Sequence, residues 1–130
     1  MTLPPLDLLL LPLRSPERLA ELTPGQWDLL VRQGRRADVL ARIAARLDET
    51  GHWSAVPPEV ARHLRSMQLL AQRQHEELRH ETEQLRQVFL RSGLPLVLLK
   101  GAAYVLQGLR VGEGRMVSDI DILVPRERLA

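Results

Sequence analysis

The sequence contains no cysteine, a single lysine, and aromatic residues at only 3%. Without cysteine there are no disulfides and no thiolate zinc sites, a composition compatible with a reducing compartment. So few aromatics leave no platform on which the bases of single-stranded nucleic acid stack. Long apolar runs are also missing. The N-terminal run Leu8 to Leu11 ends at Pro12, whereas a bilayer span needs about 20 apolar residues. No basic segment or small-residue cleavage site frames that run, so it does not read as a signal peptide. These absences lead to the expectation of a cytoplasmic protein with no membrane partner.

What is present is ordinary for a soluble globular chain: 130 residues, 45% hydrophobic and 26% charged, with a formal net charge of +2. That length suits one domain, or a domain plus a fragment. The arginines are interspersed with acidic residues along helix-like segments instead of forming one basic block, as on solvated helix faces. Because every other basic residue is arginine, Lys100 stands apart.

The first two thirds read as helical. Leu6 to Leu13 is an apolar lead-in. Ser15-Pro16 and Thr23-Pro24 each pair a capping residue with proline at the first helical position. The first starts a short helix through Leu22; the second starts a helix containing Trp27, Leu30 and Val31. Gly34 is expected to interrupt that helix before a second piece, Ala37 to Leu47, closed by Gly51. "VPPEV" opens the longest element, from Pro58 to about Ser92, with Gly93 as its stop. Val60, Leu64, Met67, Leu70, Leu78, Leu85, Val88 and Phe89 keep an apolar stripe along it, but Gln72 to Gln84 is polar apart from Leu78. Partial cover by the chain itself, or a homodimer through this long helix, would both suit such a pattern.

After Gly93 the texture changes. "LPLVLLK" is a short continuous apolar run of the kind found in strands buried on both faces. Gly101 and a short helix, "AAYVLQGL", follow. "RVGEGR" reads as a loop, "DIDILV" as a second strand, and Arg126 to Ala130 as the start of another helix. Several tempting motifs fail. The histidines of "HEELRH", His75 and His80, lie roughly 140° apart around a helix, not the 40° or so that lets two histidines share one ion. "GEGRMV" lacks a third glycine and precedes a strand, "KG" has the residues of a P-loop in the wrong order, and no nucleophile elbow is present.

One pattern holds. Side chains alternate along a strand, so Asp119 and Asp121 would share a face while Ile120, Ile122 and Val124 turn inward. Two carboxylates that close repel unless positive charge lies between them, and Mg²⁺ commonly binds through one or two carboxylates plus substrate phosphates. Two solvated aspartates on an exposed face are the plainer alternative. The surroundings favour phosphate chemistry. Gly101 would allow a tight turn, the next helix would offer free N–H groups to an anion, and Lys100 sits at that turn. Arg115 is near enough in sequence to reach the same phosphates in bidentate fashion.

The stretch "LLKGAAYVLQGL…GRMVSDIDILV" resembles the start of the polymerase-β-like nucleotidyltransferase fold. It is most similar to a poorly characterised bacterial branch with the pattern LKG-a-a…R-x-x-x-D-I-D-L-L-V, and the similarity runs over the whole chain through "QWDLL", "VPPEV" and "LVLLKG". The resemblance implies an α+β fold: a mainly helical region, residues 1–93, then the first β-α-β unit of a catalytic domain, residues 94–130, with an incomplete sheet. It implies transfer of a nucleoside monophosphate from an NTP such as ATP to a hydroxyl acceptor, which is a small molecule, a protein or tRNA. Asp119 and Asp121 match the catalytic carboxylates that hold Mg²⁺ or Mn²⁺, and Gly101 matches the glycine of the phosphate turn; Lys100, Arg115 and Ser118 complete the phosphate-binding candidates.

Two departures stand out. Ala102 occupies the position where the wider superfamily often has a phosphate-touching serine, and no strand carrying a third carboxylate follows Asp121. The expectation is therefore that this 130-residue piece is inactive alone, as part of a longer enzyme or as a remnant. A catalytically degenerate interaction module and a toxin-type enzyme acting on tRNA are the alternatives.

Overall fold

The structure is a computed structural model that describes residues 5–129, with side chains from Asp7 onward. It is α+β and mostly helical. Two compact units, Met1–Leu70 and Ala71–Ala130, divide within one long helix.

In the first unit the apolar lead-in is a helix, α1 (Pro5–Arg14), which continues through Pro12. Pro16–Glu21 forms a 3-10 helix in which the Ser15 side chain makes no capping bond. At Thr23 the capping signal is fulfilled. Its hydroxyl accepts from the Gln26 N–H at 3.2 Å while the Thr23 N–H donates to the Gln26 side chain at 2.9 Å, starting α2 (Pro24–Ala37).

Gly34 does not interrupt that helix. A Cβ at Gly34 would lie 2.6 Å from Cδ2 of Leu40, so glycine is required for close packing. The break comes at Asp38, in the left-handed region at φ 60°, and α3 runs Leu40–Thr50 instead of starting at Ala37. Gly51, at φ 73°, closes α3 as expected. Leu8, Leu19, Leu30, Leu40, Ile43, Leu47 and Leu64 form the buried centre of this unit. At its surface Asp48 accepts hydrogen bonds from Trp53 (2.8 Å), Arg65 (3.1 Å) and Gln68 (2.6 Å), and the Arg65 guanidinium stacks on the Trp53 ring.

The long helix, α4 (Pro58–Ser92), ends before Gly93 at φ 71°. Its apolar stripe is only partly used, for Leu70 and Val88 are exposed and Ala71 is buried in the stripe's place. In the second unit β1 (Val97–Leu99) leads directly into α5 (Lys100–Leu106). A 3-10 turn, Arg110–Gly112, precedes β2 (Asp121–Leu123), and another, Arg126–Arg128, takes the place of the expected final helix; Ala130 lies outside the described residues.

The strands pair antiparallel in the register Val97↔Leu123, Leu98↔Ile122 and Leu99↔Asp121. The apolar β1 is not covered on both faces, because a two-stranded ribbon leaves Val97, Leu99 and Leu123 exposed. Leu78 of α4 packs with Ala102, Val105 and Val117 in a small core of its own.

Candidate active site

β1 carries the chain to Leu99 and α5 begins at the next residue. The turn between them is made by Lys100, which adopts φ 57°. A residue with a Cβ in that left-handed region costs about 1 kcal/mol or more. The sequence assigned the turn to Gly101, one residue later. Gly101 is instead a buried helical residue, glycine because a Cβ there would stand 3.1 Å from Nε of Arg115 and 3.2 Å from Cγ2 of Val117.

Leu99 lies opposite Asp121 across the ribbon, so the next residue along comes beside the Asp121 carboxylate. Lys100 Nζ is 3.5 Å from Asp121 Oδ2, with both side chains open to solvent. Arg115 places its guanidinium 5.5 Å from the centroid of the Tyr104 ring, within cation–π range. Its backbone carbonyl lies 2.7 Å from Nε2 of His75. A carbonyl only accepts, so Nε2 carries the proton. Two residues on, the Val117 N–H donates to Oε1 of Gln74 at 3.0 Å.

Ser118 and Asp119 are exposed and follow this anchored segment. Only Asp121 of the aspartate pair lies in β2; Asp119 precedes it. Two contacts thus bring sequence candidates together, Lys100 with Asp121 and Arg115 with Gly101, and Ser118 and Asp119 enter neither. Among the described residues no group of three His, Cys, Asp or Glu side chains is assembled for a metal.

Sequence reasoning missed Gln74, His75 and Tyr104 as neighbours of the site. The available signal was the polar interruption of the α4 stripe, where two of the polar side chains meet backbone groups of the second unit. His75 and His80 have separate partners, His80 facing Gln84, as their angular separation requires. A cavity of about 790 Å³ in the first unit, lined by Leu19, Trp27, Val31, Pro57, Val60 and His63 among others, includes none of the candidate residues.

Fold and site together define an α+β protein in which a strained cationic turn meets an acidic strand. A family described as "Uncharacterised nucleotidyltransferase" matches residues 23–130. The chain belongs to that family of nucleotidyltransferases. The match takes in every candidate residue and begins at the capping threonine of α2, so the similarity read over the whole chain holds from Thr23 onward. Neither the curated proteins nor the solved structures provide a match.

Proposed function

We propose that this chain serves Mg²⁺- or Mn²⁺-dependent transfer of a nucleoside monophosphate from an NTP to a hydroxyl acceptor, using Lys100, Gly101, Arg115, Ser118, Asp119 and Asp121. The observation that carries the reading is the left-handed Lys100 holding its ammonium against Asp121. Such a conformation persists in a lysine only where the surrounding fold over-determines it, and residues of that kind gather at binding and reacting sites. Membership of a nucleotidyltransferase family supports the same chemistry.

In the reaction the acceptor oxygen bonds to the α-phosphorus as that atom's bond to the α–β bridging oxygen breaks. Pyrophosphate leaves, and the proton of the hydroxyl passes to water. Lys100 and Arg115 balance Asp119 and Asp121 in formal charge, so a bound triphosphate calls for further positive charge. The donors suit a hard divalent cation: both carboxylates are accessible, Asp121 already faces a cation, and waters and phosphate oxygens ordinarily complete the shell of Mg²⁺. When bound, the ion would stabilise charge on the reacting phosphate and on the attacking and leaving oxygens. Arg115 would hold phosphate oxygens in bidentate fashion, Lys100 would exchange Asp121 for a phosphate, and Ser118 would donate through its hydroxyl. The bare Cα of Gly101 leaves the space that the Arg115 side chain occupies.

The test is incubation with each NTP labelled at the α-phosphate, Mg²⁺, and pools of small molecules, proteins and tRNA. With the longer enzyme of which this piece is expected to be part, label should move to one pool, and to none with the Asp119→Asn variant of it. Transfer that persists in the variant contradicts the assignment.

A second reading, self-association through α4, is favoured by the exposure of Val88 (53%) and Leu90 (63%). It requires a mass in solution that rises with concentration, and a constant monomer mass removes it.

A further inference from the structure

The segment between the 3-10 turn and β2 pairs with no strand, yet its backbone groups need partners. The Arg115 N–H finds one in the Gly112 carbonyl at 3.1 Å. The Arg115 carbonyl and the Val117 N–H find theirs on α4, at His75 and Gln74. Two consecutive side chains of a helix thus do for this segment what a neighbouring strand would do. A turn further along α4, Leu78 packs against Val117 and against Ala102 and Val105 of α5.

These contacts fix residues 115 and 117, and what they fix is the approach to the site. Arg115 is the residue whose side chain lies against Gly101 and Tyr104, and Val117 is followed by Ser118, Asp119 and the β2 residue that meets Lys100. The hydrogen bonds have opposite polarity: Gln74 must accept and His75 must donate. We propose that Gln74 and His75 are positioning residues of the nucleotidyl-transfer site, holding the 115–117 segment so that Arg115 and the aspartates meet the triphosphate together. This rests on the function proposed above. Neither residue is placed in contact with the nucleotide.

The opposite polarities provide the test. Glutamate accepts but does not donate when ionised, so the same substitution at adjacent positions should act in opposite ways, with the added charge matched. The full chain is titrated with Mn²⁺ in the presence of each of the four NTPs, and thermal melts are recorded in parallel. Gln74→Glu and His75→Gln should keep the wild-type Kd. His75→Glu and Gln74→Leu should weaken it about tenfold, as loss of a positioning hydrogen bond implies. Hydrogen exchange at the Val117 amide should accelerate in Gln74→Leu and stay slow in Gln74→Glu. If Gln74→Leu does not fold, the two glutamate variants still decide the matter. No Mn²⁺–NTP binding by the wild type overturns the site and the positioning role with it. Wild-type binding with equal affinity in Gln74→Glu and His75→Glu overturns the positioning role alone.

Discussion

The Lys100 ammonium lies 3.5 Å from the Asp121 carboxylate, at the end of a lysine whose backbone is itself left-handed. The pair is exposed, so it adds only about 0–1 kcal/mol to stability. The backbone strain is of similar size with the opposite sign. The arrangement therefore has little value as a stabilising device, and its use is better sought in placing an exposed cation beside the carboxylate proposed above to take a metal.

Two substitutions separate charge from strain. Lys100→Met and Lys100→Gly both remove the ammonium, but only glycine relieves φ 57°. Thermal melts should find Lys100→Gly more stable than Lys100→Met by roughly 1 kcal/mol. Both should bind NTP more weakly than the wild type. Equal stability of the two variants contradicts the account of the turn.

Gly101→Ala sets helix propensity against crowding. Alanine is favoured over glycine in a helix by about 1 kcal/mol, while its Cβ would press on Arg115 and on the buried Val117. Net stability should change by less than about 1 kcal/mol, because the two effects oppose. Displacement of Arg115 should weaken NTP binding by about tenfold, the loss of one charge-assisted hydrogen bond. Calorimetric titration beside a thermal melt checks both halves.

In Gly34→Ala the crowding prevails over the gain in helix propensity. The added Cβ would meet Leu40 at 2.6 Å in the buried centre of the first unit, where Leu40 is 1% exposed. Overpacking of this kind costs about 1–3 kcal/mol, which outweighs the gain in helix propensity. Urea unfolding should show the midpoint falling with an unchanged slope.

Acid should weaken the first unit through Asp48. Burial raises its pKa, but hydrogen bonds from Gln68, Trp53 and Arg65, with the Arg65 charge, outweigh burial and hold it below the ordinary 3.8. A carboxyl depressed in the folded state binds protons more readily when unfolded. Its contribution is present above that ordinary value and is lost as pH falls through the folded one. Melts recorded from about pH 7 to about pH 2.5 should show a steeper loss for the wild type than for Asp48→Asn.

Local signals in the sequence were reliable where local chemistry decides. Thr23 with Gln26, Gly51 and Gly93 mark helix ends because a cap or a left-handed stop is a property of adjacent residues. Gly34 and Gly101 read in the sequence as a break and a turn, because glycine is a common source of backbone freedom. Both are glycine for close approach to residues that only the fold brings near. The expected two-faced burial of β1 was the wrong reading of an apolar run in a ribbon of two strands. Lys100, Arg115 and the aspartates stand out in the sequence because their residue types suit phosphate chemistry; the structure brings Lys100 to Asp121 and Arg115 to Gly101, and leaves Asp119 outside both contacts. The pairing of Lys100 with Asp121 follows from register, and the anchoring of Arg115 by His75 from tertiary contact; neither is written in spacing along the chain.

The most direct measurement is a Mn²⁺ titration followed by electron paramagnetic resonance, with and without ATP, on the wild type and on Asp119→Asn and Asp121→Asn. Nucleotidyl transfer at this site predicts that the wild-type chain takes up Mn²⁺, more tightly with ATP present, and that both variants lose this while keeping the wild-type melting temperature to within a few degrees. Uptake that is the same in all three proteins, or absent from the wild type, would contradict the assignment of these aspartates.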